Sequence, residues 1–267
     1  MTGARVPVAL TIAGSDSGGG AGLQGDLKTF AAHGVHGASV VTAVTAQSSR
    51  GVAGVVVLPP AFVETQIETI VKDMDVGAVK TGMLGSVEVA AAVGRALRAL
   101  GRPLVVDPVM ASTGGAPLLA GDAARAYWDH LLPLATLVTP NLPEAEALLG
   151  RRIETPAEIR EAAEQLVARG VRAVVVKGGH RTGDAIDVFF DGREIVELAA
   201  PRVDTPHTHG TGCAFSAAIA ARLARGEALL AAVRAAKIFV TAAIERGYAV
   251  GQGRGVLDHL HPLRVRD

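Results

Sequence analysis

The chain has a single cysteine, Cys213, in 267 residues. That excludes an intrachain disulfide framework and a multi-cysteine zinc site. Aromatic residues make up only 3% and no long basic run occurs, so the usual footprint of a nucleic-acid binder is missing. Nor is charge of one sign in excess, since 26 Lys and Arg balance 26 Asp and Glu. No apolar run is long enough to span a bilayer. The N-terminal run, Val6–Ala13, reads as a first strand, and with no signal-peptide pattern the expected compartment is the cytoplasm. Ser/Pro-rich linkers, low-complexity tracts and internal repeats are absent as well, so residues 1–267 are expected to form one domain. The partners that fit are small molecules, not nucleic acid or a membrane.

What is present is a regular alternation. Val6–Ala13, Ala38–Thr45, Gly54–Leu58, Val76–Lys80, Leu104–Val106, Leu137–Thr139 and Ala173–Val176 are continuous apolar runs of strand length. Continuous rather than alternating apolar strands predict a mostly parallel sheet covered on both faces. Helical patterns lie between and after them, at Leu23–Ala32, Ala61–Lys72, Val87–Leu100, Asp122–Leu131, Glu144–Leu149, Pro156–Arg169, Thr211–Arg225 and Leu229–Arg246. Thr155-Pro156 supplies an N-cap with proline at N1, and Gly101 and Gly170 stand where helices end. Asp191-Gly192 between Ile186–Phe190 and Arg193–Ala199 predicts an antiparallel hairpin at one sheet edge. The expected architecture is therefore a three-layer α/β/α domain with ligands at the carboxyl ends of the strands. Residues 248–267 read as irregular.

Four segments fall on that rim. The most informative is His207-Thr-His-Gly-Thr-Gly-Cys213, which opens into an alanine-rich helix. Gly210 and Gly212 permit close backbone approach, and with Thr211 they begin a helix whose unpaired N–H groups form an anion site. Cys213 lies on that first turn, where a thiolate is favoured. Ala13–Gly22 is a glycine-rich loop, neither a P-loop nor a dinucleotide fingerprint, and Asp26 lies on the helix after it. In Thr42-Ala-Val-Thr-Ala-Gln47, the glutamine amide offers one donor side and one acceptor side, matching the amino group and ring nitrogen of an aminopyrimidine. Asp107, in VVDPVM, and Asn141-Leu-Pro-Glu144 place acids after two different strands, as Mg²⁺ near nucleotide phosphates requires, though Asn141 and Glu144 equally suit helix capping. Lys177-Gly-Gly-His180 suits a nucleotide phosphate or adenine rim. His180, His207 and His209 lack metalloenzyme spacing and read as pocket-lining or structural. Gly14–Gly22 and Ser112-Thr-Gly-Gly115 are candidate lids.

In order along the chain, AGSDSGGGAGLQGDLKTF, VTAVTAQ, VKTGML, VVDPVM, TPNLPEA, VVVKGGH and HTHGTGCAFSAAIAA resemble the hydroxymethylpyrimidine/phosphomethylpyrimidine kinases of thiamine biosynthesis, in the ribokinase-like superfamily. The resemblance runs from about Val8 to Gly255. It implies an ATP- and Mg²⁺-dependent enzyme, a homodimer, that phosphorylates 4-amino-5-hydroxymethyl-2-methylpyrimidine and then its monophosphate. It implies substrate contacts at Gln47, Asp26, Gly14, Met83 and Val109, nucleotide contacts at Lys177, Gly179, Thr208 and Asn141, and metal-holding acids at Asp107 and Glu144. Gly210, Thr211 and Gly212 match the superfamily's anion hole, with Cys213 where most members carry an aspartate base. Gly25 and Ser48-Ser49 depart from the commoner alanine and Asn-Thr. Pyridoxal kinase of the same superfamily and a non-catalytic pyrimidine sensor are the competing readings.

Overall fold

The computed structural model describes residues 5–111, 119–120, 122–179 and 185–264. His180 and the Ser112-Thr-Gly-Gly115 segment lie outside them. The apolar runs become strands β1 (Val8–Asp16), β2 (His36–Ser48), β3 (Gly51–Val57), β4 (Val76–Thr81), β5 (Gly85–Ser86), β6 (Leu104–Val106), β7 (Leu119–Ala120), β8 (Leu137–Val138), β9 (Val174–Val176), β10 (Ala185–Phe190) and β11 (Ile195–Ala200). Nine of them form one sheet in the order β11-β10-β9-β8-β6-β4-β1-β2-β3, and β5 pairs with β7 separately. From β9 to β2 all pairs are parallel.

The helices are α1 (Gly22–Ala32), α2 (Pro60–Asp73), α3 (Val87–Arg98), α4 (Ala123–His130), α5 (Leu142–Leu149), α6 (Pro156–Ala168), α7 (Thr211–Ala224) and α8 (Leu229–Glu245). Helices α2 to α6 bury Val63, Ile67, Val93, Tyr127, Leu148 and Leu166 against one face of the sheet. On the other face α1, α7 and α8 bury Phe30, Phe215, Ile219, Val233 and Phe239. Each such large apolar side chain contributes roughly 1.5–3 kcal/mol on burial. Capping chemistry sets several helix ends. Thr155 and Glu158 form a reciprocal capping box on α6, and Ser86 accepts from the Val89 amide at the start of α3. Gly101 and Gly170, past α3 and α6, adopt positive φ of 61° and 110°.

One departure from the sequence expectation and one addition to it matter. The valine-rich run at residues 51–57 is not a buried parallel strand. After the two-residue turn Ser49-Arg50 it folds back antiparallel on β2, so the sheet has an antiparallel edge at both ends, and nearly all of β3 is exposed. Pairing with β3 also carries β2 out to Ser48, placing Gln47 within the strand instead of after it. The described part of the segment after α8 is irregular, as expected, but anchored. Tyr248 and Val256 exchange backbone hydrogen bonds, the His209 amide donates to the Gly255 carbonyl at 3.2 Å, and Val256, Leu257 and His259 are buried.

Candidate active site

Parallel strands end on one side of the sheet, and there β1, β4, β6, β8 and β9 open on a cavity of about 890 Å³. The residue just after a strand end often lines it: Asp107 after β6, Lys177 after β9, and Asn141 a short step past β8. Of the fifteen residues proposed from sequence, fourteen line this cavity. The exception is Asp26.

Helix α7 begins at the cavity wall. Gly210 is its N-cap, at φ +90°, with no side-chain hydrogen bond to the first turn; the Thr211 amide is turned onto the Thr208 carbonyl at 3.3 Å, and the Gly212 amide is left for a ligand. Thr211 is tied back to the Thr208 carbonyl through its hydroxyl at 2.8 Å. A Cβ on Gly212 would stand 3.2 Å from Lys177 Nζ. The lysine ammonium therefore lies against the helix start, and the two positive features converge. Lys177 donates to Asp107 Oδ1 at 3.0 Å. Burial alone would lower the lysine pKa, but Asp107 and Glu144 outweigh it and the net shift is upward. Asn141 and Glu144 form a capping box on α5, with the Glu144 amide on Asn141 Oδ1 at 2.9 Å and the Asn141 amide on Glu144 Oε2 at 2.8 Å. The Glu144 carboxyl is pushed up to about 7, by burial first and by the charge of Asp107, against the pull of Lys177.

Among the described residues no group of three or more His, Cys, Asp or Glu side chains is placed to hold a metal ion. Two neighbouring acids beside an anion site, Asp107 and Glu144, instead fit a Mg²⁺ that keeps water and phosphate as most of its ligands.

Gln47, Gly14, Met83 and Val109 line the same cavity. A Cβ on Gly14 would stand 3.0 Å from Met83 Sδ, so the glycine lets the thioether wall close in. The glycine-rich loop is folded by Asp16, whose carboxylate accepts from the amides of Gly18 (2.8 Å), Gly20 (3.1 Å) and Ala21 (2.9 Å). Burial would raise the Asp16 pKa, but His209 and these amides more than offset it and hold it below the usual range.

Cys213 lines the cavity from the first turn of α7. Its position at a helix start favours a thiolate in the sequence reading, but burial is the larger influence. With Asp26 and Asp107 nearby it outweighs Lys80 and the Gly22 amide, and the thiol is pushed up to about 11. It holds its proton at neutral pH.

Asp26 does not reach the cavity wall. It is completely buried one layer behind, bonded to Lys80 Nζ at 2.8 and 3.0 Å and to the Thr11 hydroxyl at 2.6 Å. Thr11 and Lys80 are partners on adjacent strands β1 and β4, so both side chains rise together toward α1, which supplies the carboxylate. Burial alone would lower the Lys80 pKa; Asp26, helped by Asp107, outweighs it and holds the ammonium above its usual value. The wall group at this point is thus Lys80, which the sequence reading left without a role although it lies in the VKTGML motif. His209 lines the cavity, as expected of a pocket-lining residue, while Asp16 and the buried pair of Lys237 and Asp187, 2.7 Å apart and also lining it, were missed. A single lysine inside the alanine-rich run of α8 is the signal that marks Lys237.

The model of the phosphomethylpyrimidine kinase family matches residues 16–258. A hydroxymethylpyrimidine/phosphomethylpyrimidine kinase from Streptomyces coelicolor is 51% identical over 95% of this chain and 94% of its own length. The solved structure of phosphomethylpyrimidine kinase from Clostridium difficile superposes with a TM-score of 0.80 at 39% identity, covering 90% of this chain and all of that one. Pyridoxal kinase from Staphylococcus aureus, solved with AMP-PCP and pyridoxal, superposes at 0.87 with 35% identity over 96% of this chain and 94% of that one. The sheet order, the uncapped α7 start and the cavity between them are those of a ribokinase-like kinase. Within that class, the chain belongs to the phosphomethylpyrimidine kinase family.

Proposed function

We propose that this chain, working as one domain, transfers phosphate from ATP to the hydroxymethyl group of 4-amino-5-hydroxymethyl-2-methylpyrimidine and then to the resulting monophosphate, in thiamine biosynthesis. The observation that carries the reading is one cavity lined both by Gln47, Met83 and Val109 and by Lys177 against the start of α7. The Gln47 amide matches the amino and ring-nitrogen edge, Gly14 and Met83 flank the ring, and Lys80, backed by Asp26, supplies positive charge between ring and phosphate. Lys177, Gly179, Thr208 and Asn141 take the nucleotide. Asp107 and Glu144 would hold Mg²⁺, which when bound would neutralise phosphate charge.

The chain's own contribution is mostly positioning. Amides of Gly210 and Gly212 and the Lys177 ammonium are fixed where charge spreads on the transferred group. Cys213 accepts the hydroxyl proton in the first transfer. Because the thiol is protonated at neutral pH, this role draws on a minority thiolate form. The second transfer begins from a phosphate oxygen and needs no base. A step that needs a free thiol fits a reducing compartment, the cytoplasm. Incubation with ATP and the pyrimidine, followed by mass spectrometry, should find the ring gaining first one and then a second phosphate; no phosphate gain overturns the reading. Pyridoxal as a further substrate is supported by the likeness to pyridoxal kinases, and competition between the two rings for ATP turnover tests it. The exposed valines of β3, with Val56 at 66% exposure and Phe62 beside them at 54%, support a homodimer through this edge, which a sedimentation measurement on Val56→Asp tests.

A further inference from the structure

Three polar side chains from distant parts of the sequence meet at the cavity wall. His209 Nε2 stands 3.0 Å from Asp16 Oδ2 and 3.3 Å from the Gln47 amide. The other end of that amide stands 3.1 Å from Thr45 Oγ1, which itself lies 2.8 Å from the Ser15 carbonyl oxygen. Asp16 is almost fully buried, already accepts three backbone amides and is held ionised, so it offers only lone pairs. A ring nitrogen 3.0 Å from it must carry the proton, whether the imidazole is neutral or cationic. A nitrogen that donates cannot also accept from an NH₂ group, so the part of the Gln47 amide that faces it is the carbonyl oxygen. The Thr45 hydroxyl requires the same arrangement. Its proton lies on the Ser15 carbonyl at 2.8 Å, so a lone pair faces the amide at 3.1 Å and takes an N–H there. The single His209 N–H, directed at Asp16 and shared with the amide at 3.3 Å, favours oxygen over NH₂ on its side. Oxygen and nitrogen of an amide have the same outline, and the network decides between them.

We propose that His209, locked by Asp16, is a positioning residue that fixes the orientation of the Gln47 amide and thereby sets the enzyme's preference for an amino over an oxo pyrimidine. With Oε1 toward His209 and Nε2 toward Thr45, the amide's free edge presents one acceptor and one donor in a fixed order. A 4-amino group with an unprotonated N3 pairs with that edge. A 4-oxo group with a protonated N3 carries the opposite order, and pairing with it means turning the amide and breaking its contacts with both His209 and Thr45. The inference rests on the pyrimidine reading of the cavity. It also links two loops chemically, since His209 immediately precedes the Gly210–Cys213 helix start.

Two measurements test it. The first compares kcat/KM for the aminopyrimidine and for the same ring with oxygen in place of the 4-amino group. Wild type should favour the amino form strongly, His209→Ala should narrow that ratio by about tenfold or more, and His209→Gln, which restores an N–H donor, should recover most of it. Loss of activity on both rings with an unchanged ratio would be a structural effect and overturns the proposal. The second needs no substrate: ¹⁵N spectra of the free protein should find a proton on His209 Nε2 across the range in which the ring is neutral, and an unprotonated Nε2 overturns the proposal even if the pyrimidine reading itself has failed. Failure of that reading is recognised separately, by wild-type enzyme that phosphorylates neither ring.

Discussion

Two lysine–aspartate pairs stand within one layer of each other and do different work. Lys80 and Asp26 are completely buried, whereas Lys177 keeps 15% of its side chain exposed to the cavity beside Asp107. The partners, distances and charges are nearly the same; access to water and ligand is not. In the closed pair Asp26 is bonded to Lys80 and Thr11, and Lys80 to Asp26, so the pair acts as a fixed brace at the cavity wall. In the open pair the ammonium can exchange part of its carboxylate contact for a phosphate. The comparison teaches that the residue types do not assign a role here, and burial does.

The largest effect that would break this comparison is on stability. Asp26→Ala strands a buried ammonium and should lower unfolding free energy by about 3–5 kcal/mol in urea titration. Replacing both partners with apolar residues, Asp26→Leu with Lys80→Met, should restore most of it; a double variant as unstable as the single would mean the pair does more than compensate itself. The open pair should behave in the opposite way. Lys177→Ala should cost less stability than Asp26→Ala, because Asp107 keeps the Thr139 and Ser216 hydroxyls as donors, while kcat falls by about 10²–10³-fold. Next comes the thiol placed between the pairs. Cys213→Ala should slow the first transfer by up to about 10²-fold and leave the second nearly unchanged in separate rate measurements on alcohol and monophosphate. In wild type the first transfer should quicken as pH rises toward about 11, a rise the variant lacks. Equal losses in both steps would remove the base role. The smallest effect concerns Glu144 next to the open pair. Between the ordinary carboxyl value of 4.5 and about 7 the folded protein holds a proton that the unfolded chain has released, so stability should fall as pH rises through that window. The slope is at most about 1.4 kcal/mol per pH unit, and Glu144→Gln should flatten it in thermal melts.

Much of this was legible from residues alone, and what was not has physical causes. The capping boxes at Thr155 and Asn141 and the parallel strand core declare themselves through local chemistry, as does the glycine-rich start of α7. Asp26 misled because a position on a helix does not tell which face is buried; its partner Lys80 becomes visible only once β1 and β4 are set in register, with Thr11 opposite Lys80. The run at 51–57 misled because continuous valines read the same whether they face a helix layer or lie open at an edge. His209 read only as pocket-lining or structural since nothing near it in sequence hints at Asp16, 193 positions away.

Gly210 and Gly20 touch through their backbones: a Cβ on Gly210 would stand 2.1 Å from the Gly20 carbonyl oxygen. The glycine-rich loop at 14–22 and the loop that opens α7 are thereby a single mechanical part. An engineer seeking a new ring specificity cannot graft residues 14–22 from another kinase as a cassette. The graft must bring the matching 207–213 segment with it, or the two halves will be held apart by whatever side chain comes between them.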